Sequence, residues 1–251
     1  MISYLEQQMQ PDLNPQFPVK LFPTSCIVVD RSKLISSGGF GEVFKVQFGD
    51  SQAPLAQKLI QQDLKSCTKQ QIVEFFRSVF KEINVMYFIT QIDSDRLLKI
   101  RGISIDINKS NFAQIAIYSD LMHRDLQAFI KEFAPGHNEL AKFKVLKQIC
   151  EGVQSLQHKD LIHGDLKPRN VLLDKADNAL LADFGTLKLQ TNTITVASGQ
   201  ELIFTPLYSP PELIKRKEQN KGTDIWSLGC LMLKLFTGVS PYHEIDSKQL
   251  I

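Results

Sequence analysis

A two-lobed α+β fold is what this sequence predicts. The first half reads as short strands around one helix, the second half reads mainly as helices, and no segment repeats. Composition agrees with a globular chain: of 251 residues, 43% are hydrophobic and 22% charged. The charges nearly cancel, 29 basic against 27 acidic for a net of +2, which argues against a basic nucleic-acid binder. The longest apolar stretch, about Leu228 to Val239, is broken by Lys234 and is too short to span a bilayer. Met1 to Gln10 holds an acid and amides where a secretion signal needs a basic start and an apolar run. Cys26, Cys67, Cys150 and Cys230 lie far apart without metal-ligand spacing, so reduced thiols and an intracellular, cytoplasmic location are expected.

Each element has its own signal. Residues 1–24 carry Pro11, Pro15, Pro18 and Pro23, which forbid a helix and leave an extended lead-in. Strands are expected at Cys26–Val29, Lys33–Ser36, Glu42–Phe48 and Leu55–Ile60, punctuated by Gly38, Gly39, Gly41, Gly49 and Asp50. From Lys69 to Ile89 the period changes, with Phe75, Val79, Met86 and Ile89 on one helical stripe. Strands follow at about Leu97–Ile107 and Gln114–Tyr118. A second helix is expected over Asn138–His158, its apolar side formed by Phe143, Leu146, Ile149, Val153 and Leu156. Short strands at Val171–Leu173 and Leu180–Ala182 precede a Ser/Thr-rich loop at 186–209. A helix over Asp224–Thr237, stopped by Gly238, closes the readable part.

Chemistry enters at Ser37-Gly38-Gly39-Phe40-Gly41-Glu42-Val43, between two strands. Glycines at this spacing let backbone N–H groups approach phosphate oxygens, although a plain tight hairpin uses them as well. Lys58 follows on the strand expected at Leu55–Ile60, seventeen residues after Gly41. The strongest local signal is Leu161-Ile162-His163-Gly164-Asp165-Leu166-Lys167-Pro168-Arg169-Asn170-Val171-Leu172-Leu173. Eighteen residues beyond Asp165 stands Asp183-Phe184-Gly185.

In this order and spacing the segments resemble a eukaryotic-type protein kinase catalytic domain of the serine/threonine class, from about Ile35 to Tyr242. Thr205-Pro206-Leu207-Tyr208-Ser209-Pro210-Pro211-Glu212 and Asp224-Ile225-Trp226-Ser227-Leu228-Gly229 are similar to two later family segments. The resemblance implies a small antiparallel β-rich lobe with one main helix (25–118), a hinge (119–122) and a larger, mainly helical lobe (123–251). It implies ATP and Mg²⁺ as cofactors and a protein substrate, with oligomeric state left open. Asp165 would orient the substrate hydroxyl and take its proton, and Lys167 would neutralise the γ-phosphate. Asn170 and Asp183 would hold Mg²⁺, and Lys58 would bind the α/β-phosphates. Ile35, Gly38, Gly39, Phe40, Gly41, Val43, Ala56 and Leu172 would line the nucleotide. The adenine would meet the backbone of Asp120 to Met122, with Ser119 as gatekeeper. Thr205 and Glu212 belong to the substrate-side segment.

For the carboxylate that pairs with Lys58, periodicity favours Glu82, on the inward stripe of Val79 and Met86, over Glu74, which shares a face with Arg77 and Lys81. His123-Arg124-Asp125 spells the family's catalytic triplet without the Lys and Asn that should follow, so these are expected as ordinary surface residues opening a helix. Departures also stand out. Ser36 replaces the first loop glycine, Gly164 replaces an arginine that normally pairs with a phosphorylated activation loop, and Phe204 and Pro210 replace Gly and Ala. The sequence stops at Ile251, so the family's last helices, and the arginine that normally pairs with the position of Glu212, are expected to be missing. A catalytically weak pseudokinase or scaffold is the competing expectation.

Overall fold

The computed structural model describes residues 20–22, 27–38, 41–48, 53–133, 136–189, 194–195, 205–216 and 218–243. Gly39, Phe40, Cys26, Phe204, Thr191, Thr193 and Ser198 lie outside them, as does most of the lead-in. The chain divides into two compact units, one of residues 1–88 and 99–121, the other of residues 89–98 and 122–251.

The first unit is an antiparallel sheet of β1 (Ile27–Gly38), β2 (Gly41–Phe48), β3 (Leu55–Asp63), β4 (Ile100–Ile107) and β5 (Phe112–Asp120), in the order β1-β2-β3-β5-β4. The two first strands expected separately are one strand, β1, whose register on β2 slips on either side of Leu34. Strand alternation sorts the sheet into two faces. Cross-strand partners place Val43, Lys58 and Ile117 in one row and Ala56 and Ser119 in the next, so these residues share a face. Phe44, Gln57 and Tyr118 take the other.

Helix α1 (Lys69–Thr90) starts with a reciprocal cap: Gln71 N–H donates to the Thr68 hydroxyl at 3.2 Å, and Thr68 N–H donates to Gln71 Oε1 at 2.8 Å. It buries Phe76, Val79 and Ile83 in a core with Ile100, Ile103, Ile115 and Ile117. Phe75 and Met86 of the expected stripe are only partly buried against it. On the opposite face Phe22 packs with Phe44, Val46, Ala116 and Tyr118. Phe22 N–H donates to Ile103 O, Ile103 N–H donates to Lys20 O, and the Phe22 ring meets Tyr118 edge-on at 5.2 Å.

In the second unit come β6 (Arg124–Asp125), α2 (Leu126–Glu132), α3 (Glu139–Gln157), β7 (Leu161–Ile162), β8 (Val171–Leu173), β9 (Ala179–Leu181), β10 (Lys188–Leu189), β11 (Ile194–Thr195), α4 (Pro211–Arg216), β12 (Glu218–Gln219) and α5 (Lys221–Thr237). Leu97, expected to start the strand that is β4, belongs here instead. It bridges to Leu181, and Leu98 N–H donates to Leu181 O at 2.8 Å. The buried side of α3 is Val145, Ile149, Val153 and Leu156 together with Lys142 and Gln148. Phe143, expected inside, is 58% exposed and rests on Phe236 at 4.9 Å. Helix α5 begins three residues ahead of expectation because Asn220 and Thr223 form a capping box. Gly238, at φ +73°, ends it.

Within the His123-Arg124-Asp125 triplet, His123 is exposed as expected, but Arg124 is not ordinary surface. Arg124 is largely buried and ion-paired to both Glu132 and Asp177, at 2.7 Å in the second case. Asp125 caps α2 by accepting the Ala128 N–H at 2.7 Å. The helix start is as expected; what the sequence conceals is the burial and pairing of Arg124.

Candidate active site

In the first unit Lys58 and Glu82 meet. Lys58 Nζ donates to Glu82 Oε1 at 2.5 Å, both side chains about one-fifth exposed (21% and 20%). The helical period does this: Glu82 stands three residues beyond buried Val79, on the side of α1 that packs on the sheet. Glu74 instead faces solvent and accepts from Gln70 at 2.6 Å. Val43, Ala56 and Ser119 share the sheet face of Lys58. Gly38 pairs with Gly41 at the end of the β1–β2 hairpin, and Ile35 is exposed on β1. Asp120 closes β5 with a two-point ion pair to Arg101, at 2.6 and 2.8 Å. That hydrogen bond outweighs burial and raises the Arg101 guanidinium above its ordinary pKa.

In the second unit Lys167, Asn170 and Thr205 gather around Asp165. Asp165 Oδ2 accepts Lys167 Nζ at 2.5 Å and, more loosely, Asn170 Nδ2 at 3.3 Å. Asp165 Oδ1 accepts the Thr205 hydroxyl at 2.8 Å, and that hydroxyl accepts from Lys167 Nζ at 3.0 Å. The closed set of Asp165, Lys167 and Thr205 draws together residues up to forty positions apart. Local folding supplies the rest: Pro168–Asn170 makes one tight turn, and Asn170 Nδ2 donates to Asp165 O at 2.8 Å. Leu172 and Met122 are half-buried members of this unit. Glu212 is half-buried in the first turn of α4, without a hydrogen bond or ion pair among the described residues.

A buried frame holds this loop. His163 N–H and Gly164 N–H both donate to the Asp224 carboxylate, at 2.8 and 3.0 Å. Burial pushes the Asp224 carboxyl above its usual range, while His163 and the two N–H donors act the other way. His163 Nε2 lies 3.0 Å from Ala182 O, and its ring faces that of Phe184 at 5.5 Å. Asp224 lay within a recognised segment but carried no assigned role in the sequence. Its function as the acceptor for two backbone donors sixty residues away has no local sign.

The oxygen donors suit a hard cation. Among the described residues no group of three or more His, Cys, Asp or Glu side chains could hold a metal by protein ligands alone. Mg²⁺ does not need such a cage, since one or two protein oxygens plus phosphate and water complete its shell. Asn170 spends its Nδ2 on Asp165, which leaves its carbonyl oxygen as the donor to a cation. Asp183 presents an exposed carboxylate from a left-handed backbone, φ +60°, and its side chain caps nothing. Asn170 and Asp183 therefore fit the ion.

Residues 29–251 match the family model of the protein kinase domain. The chain is 27% identical to mitogen-activated protein kinase kinase kinase 3 of Homo sapiens, over 91% of this chain and 35% of that protein. It is 27% identical to a probable serine/threonine-protein kinase of Dictyostelium discoideum, over 87% of this chain and 49% of that protein. It is also 30% identical to the tyrosine-protein kinase receptor svh-2 of Caenorhabditis elegans, over 98% of this chain and 21% of that protein. The chain thus spans less than half the length of each of these relatives. With a family match that takes in most of its length, this chain belongs to the protein kinase domain family.

Proposed function

We propose that the chain is a protein serine/threonine kinase that transfers the γ-phosphate of ATP to a Ser or Thr hydroxyl of a protein substrate, inside the cell. The observation that carries this reading is the closed set of Asp165, Lys167 and Thr205. A carboxylate whose two oxygens are fixed by a cation and a hydroxyl is oriented before substrate arrives, which is what a residue positioning an attacking hydroxyl needs. As the substrate oxygen bonds to the γ-phosphorus and ADP leaves, Asp165 takes the hydroxyl proton. Lys167 offsets the charge that spreads over the equatorial oxygens. Lys58, held by Glu82, would bind the α/β-phosphates, and Val43, Ala56, Ser119, Asp120, Met122 and Leu172 would seat the base. Asn170 and Asp183 would hold Mg²⁺, which supplies charge neutralisation between the phosphates.

The serine/threonine class rests on Lys167, Pro168 and the Thr205 hydroxyl; similarity to a receptor tyrosine kinase makes hydroxyl specificity the point to measure. Free thiols at Cys67, Cys150 and Cys230 support a reducing, intracellular setting. The test is transfer of labelled γ-phosphate from ATP to mixed Ser, Thr and Tyr peptides, compared with Asp165→Asn. Transfer to Ser or Thr that the variant abolishes is expected. Nucleotide binding without transfer in the wild-type chain would leave a scaffold, and transfer to Tyr alone would overturn the class.

A further inference from the structure

Gly164 and Gln219 share one space. Gly164 is buried at φ +81°, and a Cβ built on it would lie 2.2 Å from Gln219 Nε2 and 3.2 Å from Thr186 O. The side-chain amide of Gln219 thus covers the Cα of the residue next to Asp165. It is the end of a flexible side chain, but Gln219 is only 1% exposed and cannot swing aside without opening the packing.

The same residue also holds the segment that leaves Asp183. Strand β11 pairs with β12, Ile194 opposite Gln219 and Thr195 opposite Glu218. Nearer its start that segment is fastened by β10 to β7, directly ahead of His163. Next in sequence to Gln219 is Asn220, the cap of α5, and four residues further Asp224 holds the N–H groups of His163 and Gly164. One short stretch, 219–224, therefore fixes both the backbone donors and the open face of the loop. Gln219 Oε1 is buried without a hydrogen-bond partner among the described residues. An unpaired buried acceptor costs stability, and an apolar side chain of similar size would fill the space without that cost. Space filling alone does not explain the amide.

We infer that Gln219 is a positioning residue for phosphoryl transfer, setting the catalytic loop through Gly164 and tying it to strand Ile194–Thr195. The inference rests on the kinase reading above. Gly164 offers no guanidinium for a charged partner, and a neutral amide takes the space a side chain there would need. Asp165 follows Gly164 directly, so a shift at 164 moves the carboxylate that Lys167 and Thr205 hold. Misplacement of a reacting group by about 1 Å can cost on the order of a hundredfold in rate.

The experiment is a double-mutant cycle in the full chain: Gln219→Ala, Gly164→Ala and both together. Readouts are kcat and KM for ATP and peptide, melting temperature, and hydrogen exchange at residues 194–195. Gln219→Ala is expected to lower kcat by about tenfold or more, with the KM for ATP within about twofold, and to speed exchange at 194–195. Gly164→Ala alone should also lose activity. The double variant should be about tenfold more active than the product of the single effects, because the Cβ then has room. Strain from an L-residue at φ +81° is present in both backgrounds and cancels. Additive effects, an unchanged kcat in Gln219→Ala, or a kcat loss that merely tracks melting temperature would overturn the inference. A wild-type chain that transfers no phosphate would strike the kinase reading instead. The cycle read in melting temperature then decides the contact, and additivity there rejects it.

Discussion

At the scale of single residues, Asp183 and Asp224 are two carboxylates with opposite fates. Asp183 is exposed, caps nothing and is proposed above as a metal ligand; Asp224 is fully buried and holds two backbone N–H groups. Asp183→Asn is expected to keep the fold and to lose Mg²⁺-dependent transfer, by at least about 3 kcal/mol of barrier, the scale of one preorganised electrostatic group. Steady-state kinetics beside a circular dichroism melt checks both halves, and unchanged turnover would refute the assignment. Asp224→Ala strands the N–H groups of His163 and Gly164 inside the protein. Each unpaired buried donor costs about 1–3 kcal/mol, so denaturant unfolding should show a loss of about 2–6 kcal/mol. A loss below about 0.5 kcal/mol would mean that water or a shifted backbone satisfies those donors.

Among the elements, the lead-in and the segment after Asp183 carry the next expectations. Gly102 exists as glycine because Phe22 lies over it: a Cβ there would fall 2.2 Å from the Phe22 ring and 2.6 Å from Lys20 O. Gly102→Ala should therefore expel segment 20–22 from the sheet face and match Phe22→Ala in effect. Either change is expected to cost about 1–3 kcal/mol, the range for uncovering one aromatic side chain and its edge-on partner. The paired variant should cost no more than one alone, which equilibrium unfolding can measure. The segment after Asp183 is fastened by backbone pairing of β10 with β7 and β11 with β12. With glycine at 164, a phosphate on Thr191, Thr193, Thr195 or Ser198 has no arginine to meet at that position. Phosphatase treatment is expected to leave activity within about twofold, whereas a charge-locked segment typically loses its order. Loss of most activity with the phosphate would show a cation from elsewhere, such as Lys188, at work.

For the molecule as a whole, nucleotide and metal should act as one ligand. Binding to the folded chain alone stabilises it by about 2.7 kcal/mol at a hundred times Kd. In a chain of this length that is a rise of roughly 5–10 °C in melting temperature. ATP with Mg²⁺ is expected to give such a shift in thermal denaturation, and a chelator should remove most of it. Asp183→Asn should make the shift insensitive to the chelator. An equal shift from ATP with and without the ion in the wild type would remove Asn170 and Asp183 as its ligands.

The sequence by itself determined the family and marked the candidate site residues. Asp165, Lys167, Asn170 and Asp183 stand at fixed short separations, and strand and helix periods sorted Glu82 from Glu74, because those signals reside in a few neighbouring residues. Only the tertiary structure decided the rest. Arg124 reads as surface by its charge, yet folding surrounds it with Glu132 and Asp177. Phe143 reads as core by its period, yet it lies outside the buried face of α3. Leu97 reads as the start of β4, yet it belongs to the second unit, where its partner is Leu181. Gln219 carries no local mark at all. The reason is common to these cases: burial and pairing depend on which distant segments pack against a residue, and periodicity records only what its own element does.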